Sequence, residues 1–131
     1  TLPGFDTHAG QAVTHQNQLS YLAEGLHSFS RAMKSSRMWD DVLVMTYSEF
    51  GRSIKENLSG GTDHGTAAPQ LVMGGKVKGG QLYGDRADLQ NLDSEGDLNY
   101  STDFRAIYAT VAQSWWGQEN PWEQHSPIDF V

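Results

Sequence analysis

The chain contains no cysteine. That excludes disulfides, thiolate metal ligands and any Cys-pair redox motif, and it is compatible with an oxidising or a reducing compartment. Basic residues are scarce too: 9 Lys and Arg stand against 16 Asp and Glu, for a net charge of −7. They are scattered rather than clustered, so a broad nucleic-acid surface is excluded, and any anionic substrate needs local rather than global attraction. Long hydrophobic runs are also lacking; none approaches the ~20 residues of a membrane span. No signal peptide is visible. The chain opens on Thr1 and almost at once on Phe5-Asp6-Thr7-His8, so it is expected to be a fragment or processed product, and a missing targeting signal carries no weight.

What is present is enough for a folded domain. Hydrophobic residues make up 37% of 131 residues, with 4 Trp, and a chain of this size can bury roughly two thirds of its unfolded surface. Residues 11–36 carry Leu19, Leu22, Leu26, Phe29 and Met33 at steps of three and four, which predicts one long helix with its stripe in the core. The apolar run 42–47 predicts a strand buried on both faces, as in a parallel sheet flanked by helices. Residues 49–66 are rich in Gly, Ser, Asn, Asp and Lys and read as a long loop, a length usually reserved for function or disorder. A second strand is expected at 70–73, a turn and short edge strand at 76–84, and irregular chain over 85–100. A final helix starts at Ser101 or Thr102 beside Asp103, whose charge favours the positive end of the helix dipole. Phe104, Ile107, Tyr108, Val111 and Trp115 should form its buried face and Gly117 its stop. Helix, strand, strand, helix indicates an α/β domain, without repeats or a second domain.

Three segments carry the chemistry. Ser59-Gly60-Gly61-Thr62-Asp63-His64-Gly65-Thr66 puts a carboxylate and an imidazole on a glycine-flanked loop that lets backbone approach a ligand. Asp6 and His8 are two apart, so on extended chain both face one way and can reach one ion. Glu49 follows the first strand, where open α/β sheets place ligands; Arg52 could hold an anionic group or pair with Glu49. Each has a bland alternative. Asp-x-His and Asp63-His64 are common turn residues, and Glu49 with Arg52 is equally well a surface ion pair worth little. Together they make a divalent metal site, with Asp6, His8, Glu49, Asp63 and His64 as candidate ligands and His15 behind them. His27 and His125 lie outside this set, and Trp115, Trp116 and Trp122 read as packing residues. No phosphate loop, dinucleotide fingerprint or nucleophile elbow occurs. Ser48 has no base to mark it as a nucleophile.

Gly4-Phe5-Asp6-Thr7-His8, Trp39-Asp40-Asp41-Val42, Ser48-Glu49-Phe50-Gly51-Arg52, Gly60-Gly61-Thr62-Asp63-His64-Gly65 and Thr102-Asp103-Phe104-Arg105 resemble, in order, the C-terminal part of the bacterial domain-of-unknown-function family 1501. Members of that family look like distant relatives of the alkaline phosphatase and sulfatase superfamily. The resemblance implies the C-terminal portion of a three-layer α/β fold with a mostly parallel sheet flanked by helices, its N-terminal half absent from residues 1–131. It also implies two metal ions and a Ser or Thr nucleophile lying outside this chain. Asp6 and His8 resemble the first carboxylate and imidazole ligands, and His64 the final one. Glu49 takes the place of an aspartate and Phe50 the place of a histidine, so the second metal position is altered. The Asp-x-His spacing is also shorter than the superfamily's usual one. A twin-arginine signal and a periplasmic or exported location are implied on the same ground.

The expectation is therefore part of a metal-dependent hydrolase of phosphate or sulfate esters. It would use a divalent metal, zinc first and manganese or calcium next, with Arg52 on a small anionic ester. Nucleic acid and a membrane span are not expected; the partner expected is the missing half of the domain or another subunit. This fragment alone is expected to be inactive. The rival expectation is an inactive exported binding or assembly module that kept the fold, and a structural ion without chemistry is a third.

Overall fold

A computed structural model describes residues 2–131. Helix α1 (Gln11–Ser35) comes first, followed by a single 3-10 turn at Trp39–Asp41 and strand β1 (Leu43–Met45). Strands β2 (Gly51–Glu56) and β3 (Thr62–Gly65) form a hairpin, and β4 (Val72–Gly74) follows. Helix α2 (Phe104–Thr110) closes the chain and runs directly into a π-helical turn at Val111–Trp115. Among the described residues no helix is long and apolar enough to cross a membrane.

The mixed α/β character holds, but the ladders differ from the expected sheet. β1 pairs antiparallel with β4, Val44 opposite Met73, and β2 pairs antiparallel with β3, giving two separate two-stranded sheets. The segment read as one long loop is thus mostly hairpin. Its turn is built by Asn57, whose side-chain oxygen accepts from the Ser59 N–H (2.9 Å) and the Gly61 N–H (3.1 Å), while Gly60 takes φ +69°. Side-chain capping by Asn and a left-handed Gly are ordinary turn chemistry. Pairing register shifts between Arg52 and Glu56, which removes the strict alternation that marks a strand in sequence. The edge strand expected at 76–84 does not form. β4 starts two residues later than expected, because Thr46 Oγ1 is bonded by the Leu71 N–H (2.8 Å) and Thr46 N–H by Leu71 O (2.9 Å) just before the ladder proper.

The core lies at the C-terminal end. Ala109, Thr110, Val111, Ala112 and Phe130 are buried, because the tail folds back over the end of α2. Thr110 Oγ1 donates to Ala106 O (2.8 Å) and accepts from the Ile128 N–H (2.7 Å), and Phe130 O accepts from the Lys78 N–H (2.9 Å). The buried set clusters at the α-to-π junction and takes only Val111 from the predicted stripe; Ile107, Tyr108 and Trp115 are half-buried and Phe104 is 58% exposed. Gly117, at φ +63°, ends the helix as expected.

Helix α1 has the predicted length, but it contributes no buried residue, and Leu19 and Phe29 are 48% and 41% exposed. Periodicity identifies an apolar face; whether anything covers it is a separate matter. Total exposed area makes the same point: 9381 Å² against roughly 6,900 Å² for a compact monomer of 14.5 kDa. The chain's apolar surface is only partly used within the chain.

The start of α2 shows how local charge fixes an element. Asp103 is the N-cap: its Oδ1 accepts from the Arg105 N–H (2.9 Å) and Nε (2.8 Å), and its Oδ2 from Nη2 (2.6 Å). First the Arg105 side chain and then its backbone N–H hold the Asp103 carboxyl far below the usual carboxylate range.

Two predictions follow from these contacts. A Cβ at Gly51 would stand 2.1 Å from Ala67 O, whereas one at Gly25 meets nothing within 4 Å. Gly51→Ala is expected to cost about 1–3 kcal/mol through overpacking, and Gly25→Ala to add about 0.5–1 kcal/mol; urea unfolding of both variants checks the opposite signs. Because the Asp103 pKa is lower folded than unfolded, its contribution is complete above about pH 4 and is lost as pH falls further. Asp103→Asn should therefore flatten the acid limb of thermal stability below that pH. Superimposable acid limbs would show that the cap is not coupled to folding.

Candidate metal centre

Two distant segments build the site, and backbone bonds lace them together. The hairpin turn and β3 receive residues 7–11 in a run. Thr62 N–H donates to Thr7 O (3.2 Å), Asn57 Nδ2 to His8 O (3.0 Å), Gly10 N–H to Ser59 O (3.0 Å) and Gln11 N–H to Gly60 O (2.8 Å). The last of these satisfies a first-turn N–H of α1 that has no partner inside the helix, so the helix start is docked on the turn. Contact is close because Gly61 has no side chain: a Cβ there would lie 2.3 Å from the His8 carbonyl carbon. Glycine at 61 serves backbone approach, as the sequence suggests.

Asp6, His8 and His64 converge on this lacing. His8 Nε2 and His64 Nε2 each lie 2.9 Å from Asp6 Oδ1 and 3.2 Å from one another. These three are the group among the described residues whose ligand atoms could hold one ion, all within 4.8 Å of each other. Their side chains are about half exposed, at 56%, 48% and 48%, so the cluster faces solvent.

Supporting contacts surround it. His8 Nδ1 faces Asp63 Oδ1 at 3.3 Å, and the same oxygen accepts from Asn57 Nδ2 at 3.2 Å. Phe50 stacks on the His64 ring, centroids 3.7 Å apart and planes within 7°. Each guanidinium nitrogen of Arg52 makes a bond within the protein: Nη1 bonds Asp6 Oδ1 (2.8 Å), Nε bonds Thr62 Oγ1 (3.0 Å), and Nη2 bonds Thr62 O. Thr62 Oγ1 also accepts from Gln11 Nε2 (3.1 Å). One threonine therefore ties β2, β3, the start of α1 and, through Arg52, the ligand Asp6. Hydrogen bonds from His64 first and Arg52 second lower the Asp6 pKa; Asn57 first and His8 second lower that of Asp63. Both groups are exposed, so these shifts mark ionised carboxylates rather than large stabilities.

Of the residues singled out in sequence, Asp6, His8 and His64 come together and Asp63 stands behind His8. Glu49 is exposed, outside the cluster, and makes no hydrogen bond or ion pair among the described residues. Arg52 therefore pairs with Asp6 and not with Glu49. His15 lies edge-on to Phe5, ring centroids 5.9 Å apart, and takes no part in the cluster. Ser48 donates to Phe50 O (2.8 Å), a loop bond that leaves it without a base. His27 and His125 are not in the cluster. Trp122 packs against Tyr108 (5.8 Å) and Trp115 lies under Lys76 (5.6 Å), as packing residues, while Trp116 is exposed. Sequence reasoning passed over Asn57 and Thr62; the signal available was the Asn-Leu-Ser-Gly-Gly turn, which reads as a hairpin connection.

Residues 1–123 match the family described as Protein of unknown function (DUF1501), and the chain belongs to that family. No curated protein and no solved structure matches it.

The hub residue is testable without any ligand. Thr62→Val keeps the shape and removes the acceptor of two side-chain bonds, so a loss of about 1–3 kcal/mol is expected, while Thr62→Ser should retain most of the stability. A valine variant as stable as the parent in urea would remove Thr62 from this role.

Proposed function

We propose that Asp6, His8 and His64 bind a divalent metal ion, in a domain that forms part of a hydrolase acting on phosphate or sulfate esters. One observation carries this: His8 Nε2, His64 Nε2 and Asp6 Oδ1 lie within 3.2 Å of one another, closer than three lone-pair atoms sit without a proton or a cation between them. Ionised Asp63 can only accept, so it takes the proton of His8 at Nδ1. Where His8 carries that one proton alone, its bare Nε2 meets Asp6 Oδ1 at 2.9 Å, lone pair to lone pair. One proton on His64 Nε2 bonds Asp6 but does not relieve that contact. A cation between the three atoms does.

The spacing fits. Atoms 2.0–2.2 Å from one ion stand roughly 3.0 Å apart on an octahedral face and roughly 3.4 Å apart on a tetrahedral one. Two imidazoles and a carboxylate suit zinc or manganese; calcium prefers an all-oxygen shell. Three protein ligands on an exposed surface leave coordination positions open, which favours catalysis over a closed structural site. When bound, such an ion polarises an ester oxygen and acidifies a coordinated hydroxyl or water. The chain's own part is to fix the donors: Arg52 holds Asp6, Asp63 holds His8, and Phe50 holds the plane of His64.

The wider reading rests on the resemblance to the alkaline phosphatase and sulfatase superfamily. It makes this chain the C-terminal portion of a three-layer domain whose N-terminal part supplies a parallel sheet, the nucleophile and cover for the α1 stripe. The exported, periplasmic setting belongs to the same proposal. One observation favours the rival, an inactive binding or assembly module: Phe50, stacked on His64, stands where a second metal would need a histidine.

Metal content of the parent protein, measured by mass spectrometry beside His64→Ala, decides first. Stoichiometric zinc or manganese, lost in the variant, is the expected result and would be followed by assays on phosphate and sulfate monoesters. A folded protein that arrives metal-free and takes up neither ion would end the hydrolase reading.

A further inference from the structure

We propose that Asp63 is the residue that positions His8, and not a metal ligand: it fixes the imidazole in the Nδ1–H tautomer, with Asn57 holding the carboxylate in place. The metal-binding consequence rests on the reading above; the tautomer does not.

Geometry separates the two roles. Asp63 Oδ1 faces Nδ1 of His8 at 3.3 Å, while Asp6 and His64 face Nε2. The imidazole ring stands between Asp63 and the point where the three ligand atoms converge, so an ion bound at Nε2 is on the far side of the ring. A ligating histidine whose other nitrogen donates to a carboxylate is a recurrent outer-shell arrangement, and the carboxylate sets both tautomer and ring orientation. Left alone, a neutral histidine prefers its proton on Nε2, which here would block the nitrogen turned towards Asp6 and His64. Asp63 draws the proton to Nδ1, in competition with Asp6, which faces Nε2 at 2.9 Å.

Asn57 makes the arrangement rigid. Its amide nitrogen bonds both Asp63 Oδ1 (3.2 Å) and His8 O (3.0 Å), so it spans backbone and side chain of the same pair. Its oxygen is occupied by the Ser59 and Gly61 N–H groups. The residue that turns the hairpin thereby also sets the distance between Asp63 and His8. A direct ligand would need none of this; an orienting carboxylate needs all of it.

The test is histidine tautomer state by nitrogen-15 NMR on the intact protein, stripped with chelator, at a pH where imidazoles are neutral. Wild type is expected to show His8 protonated at Nδ1. Asp63→Ala should move it to the Nε2–H form, and Asp63→Asn, which keeps an oxygen acceptor, should largely restore the wild-type signal. Zinc titration of the same three proteins should show a loss of about 10–100-fold in affinity for Asp63→Ala and a smaller loss for Asp63→Asn. A wild-type His8 protonated at Nε2 overturns the proposal even if neither variant folds. So does an unchanged tautomer in Asp63→Ala, or equal zinc losses in the alanine and asparagine variants, which would make Asp63 a charged ligand. Should no protein bind zinc while the tautomers behave as expected, the metal reading fails and the positioning role of Asp63 stands.

Discussion

Every feature of the candidate centre depends on the lacing of residues 7–11 onto the β2–β3 turn. Asp6 and His8 are separated from His64 by 58 and 56 positions in sequence, so no local preference brings them together. Four bonds to main-chain carbonyls do, together with the absence of a Cβ at Gly61. Backbone bonding is well suited to this, because it fixes the path of the chain whatever the side chains do and leaves the side chains free for chemistry. Thr62 adds the cross-link that the lacing lacks. Its N–H bonds Thr7, its carbonyl and hydroxyl both receive Arg52, and the hydroxyl also receives Gln11. Loosening the hairpin would therefore release the ligands and the start of α1 together.

On the proposed reading, the charges around the cluster tie an anionic substrate to a bound metal. Around the cluster, Asp6 and Asp63 contribute two negative charges and Arg52 one positive. Such a site attracts cations and repels phosphate or sulfate esters, in a chain whose overall charge of −7 points the same way. Arg52 cannot reverse this alone, since its single positive charge is already paired with Asp6. A bound divalent ion inverts the local sign, as ions generally dominate the field of the sites they occupy. An anion-binding activity without metal is hard to derive from these residues.

What could be read in advance follows from which interactions are local. Helix α1 was legible from its periodicity, α2 from Asp103, and the triad Asp6, His8 and His64 from residue types that seldom recur together without use. The hairpin was not legible as strands, because Gly51-Arg52-Ser53-Ile54-Lys55-Glu56 neither alternates nor carries an apolar face, and its partner β3 is Thr62-Asp63-His64-Gly65. It is held by close glycine packing and by Asn57, both three-dimensional facts. Glu49 and Asp63 were indistinguishable as ligand candidates for a related reason. Sequence shows that a carboxylate is near a motif, whereas which nitrogen of which imidazole it meets depends on a contact across 55 positions. The uncovered stripe of α1 teaches the same thing about cores: amphipathic spacing defines a face, and only tertiary structure supplies its cover.

The two histidines are oriented by different physics, and this bears on Phe50. His8 is set by a hydrogen bond at Nδ1, a directional constraint that also selects its tautomer. His64 is set by a ring 3.7 Å away and nearly parallel, which fixes the plane of the imidazole, and by the contact of its Nε2 with Asp6 Oδ1 at 2.9 Å. Phe50 itself is held by more than His64, for the Arg52 guanidinium lies over its ring at 5.6 Å. Arg52, Phe50 and His64 thus form a stack with the same Arg52 that bonds Asp6, so the orientations of two of the three ligands are coupled through one arginine. A histidine at position 50 could supply a ligand for a second ion but would bring another titratable ring into that stack. The phenylalanine brings no such ring and instead orders the plane of His64 by stacking.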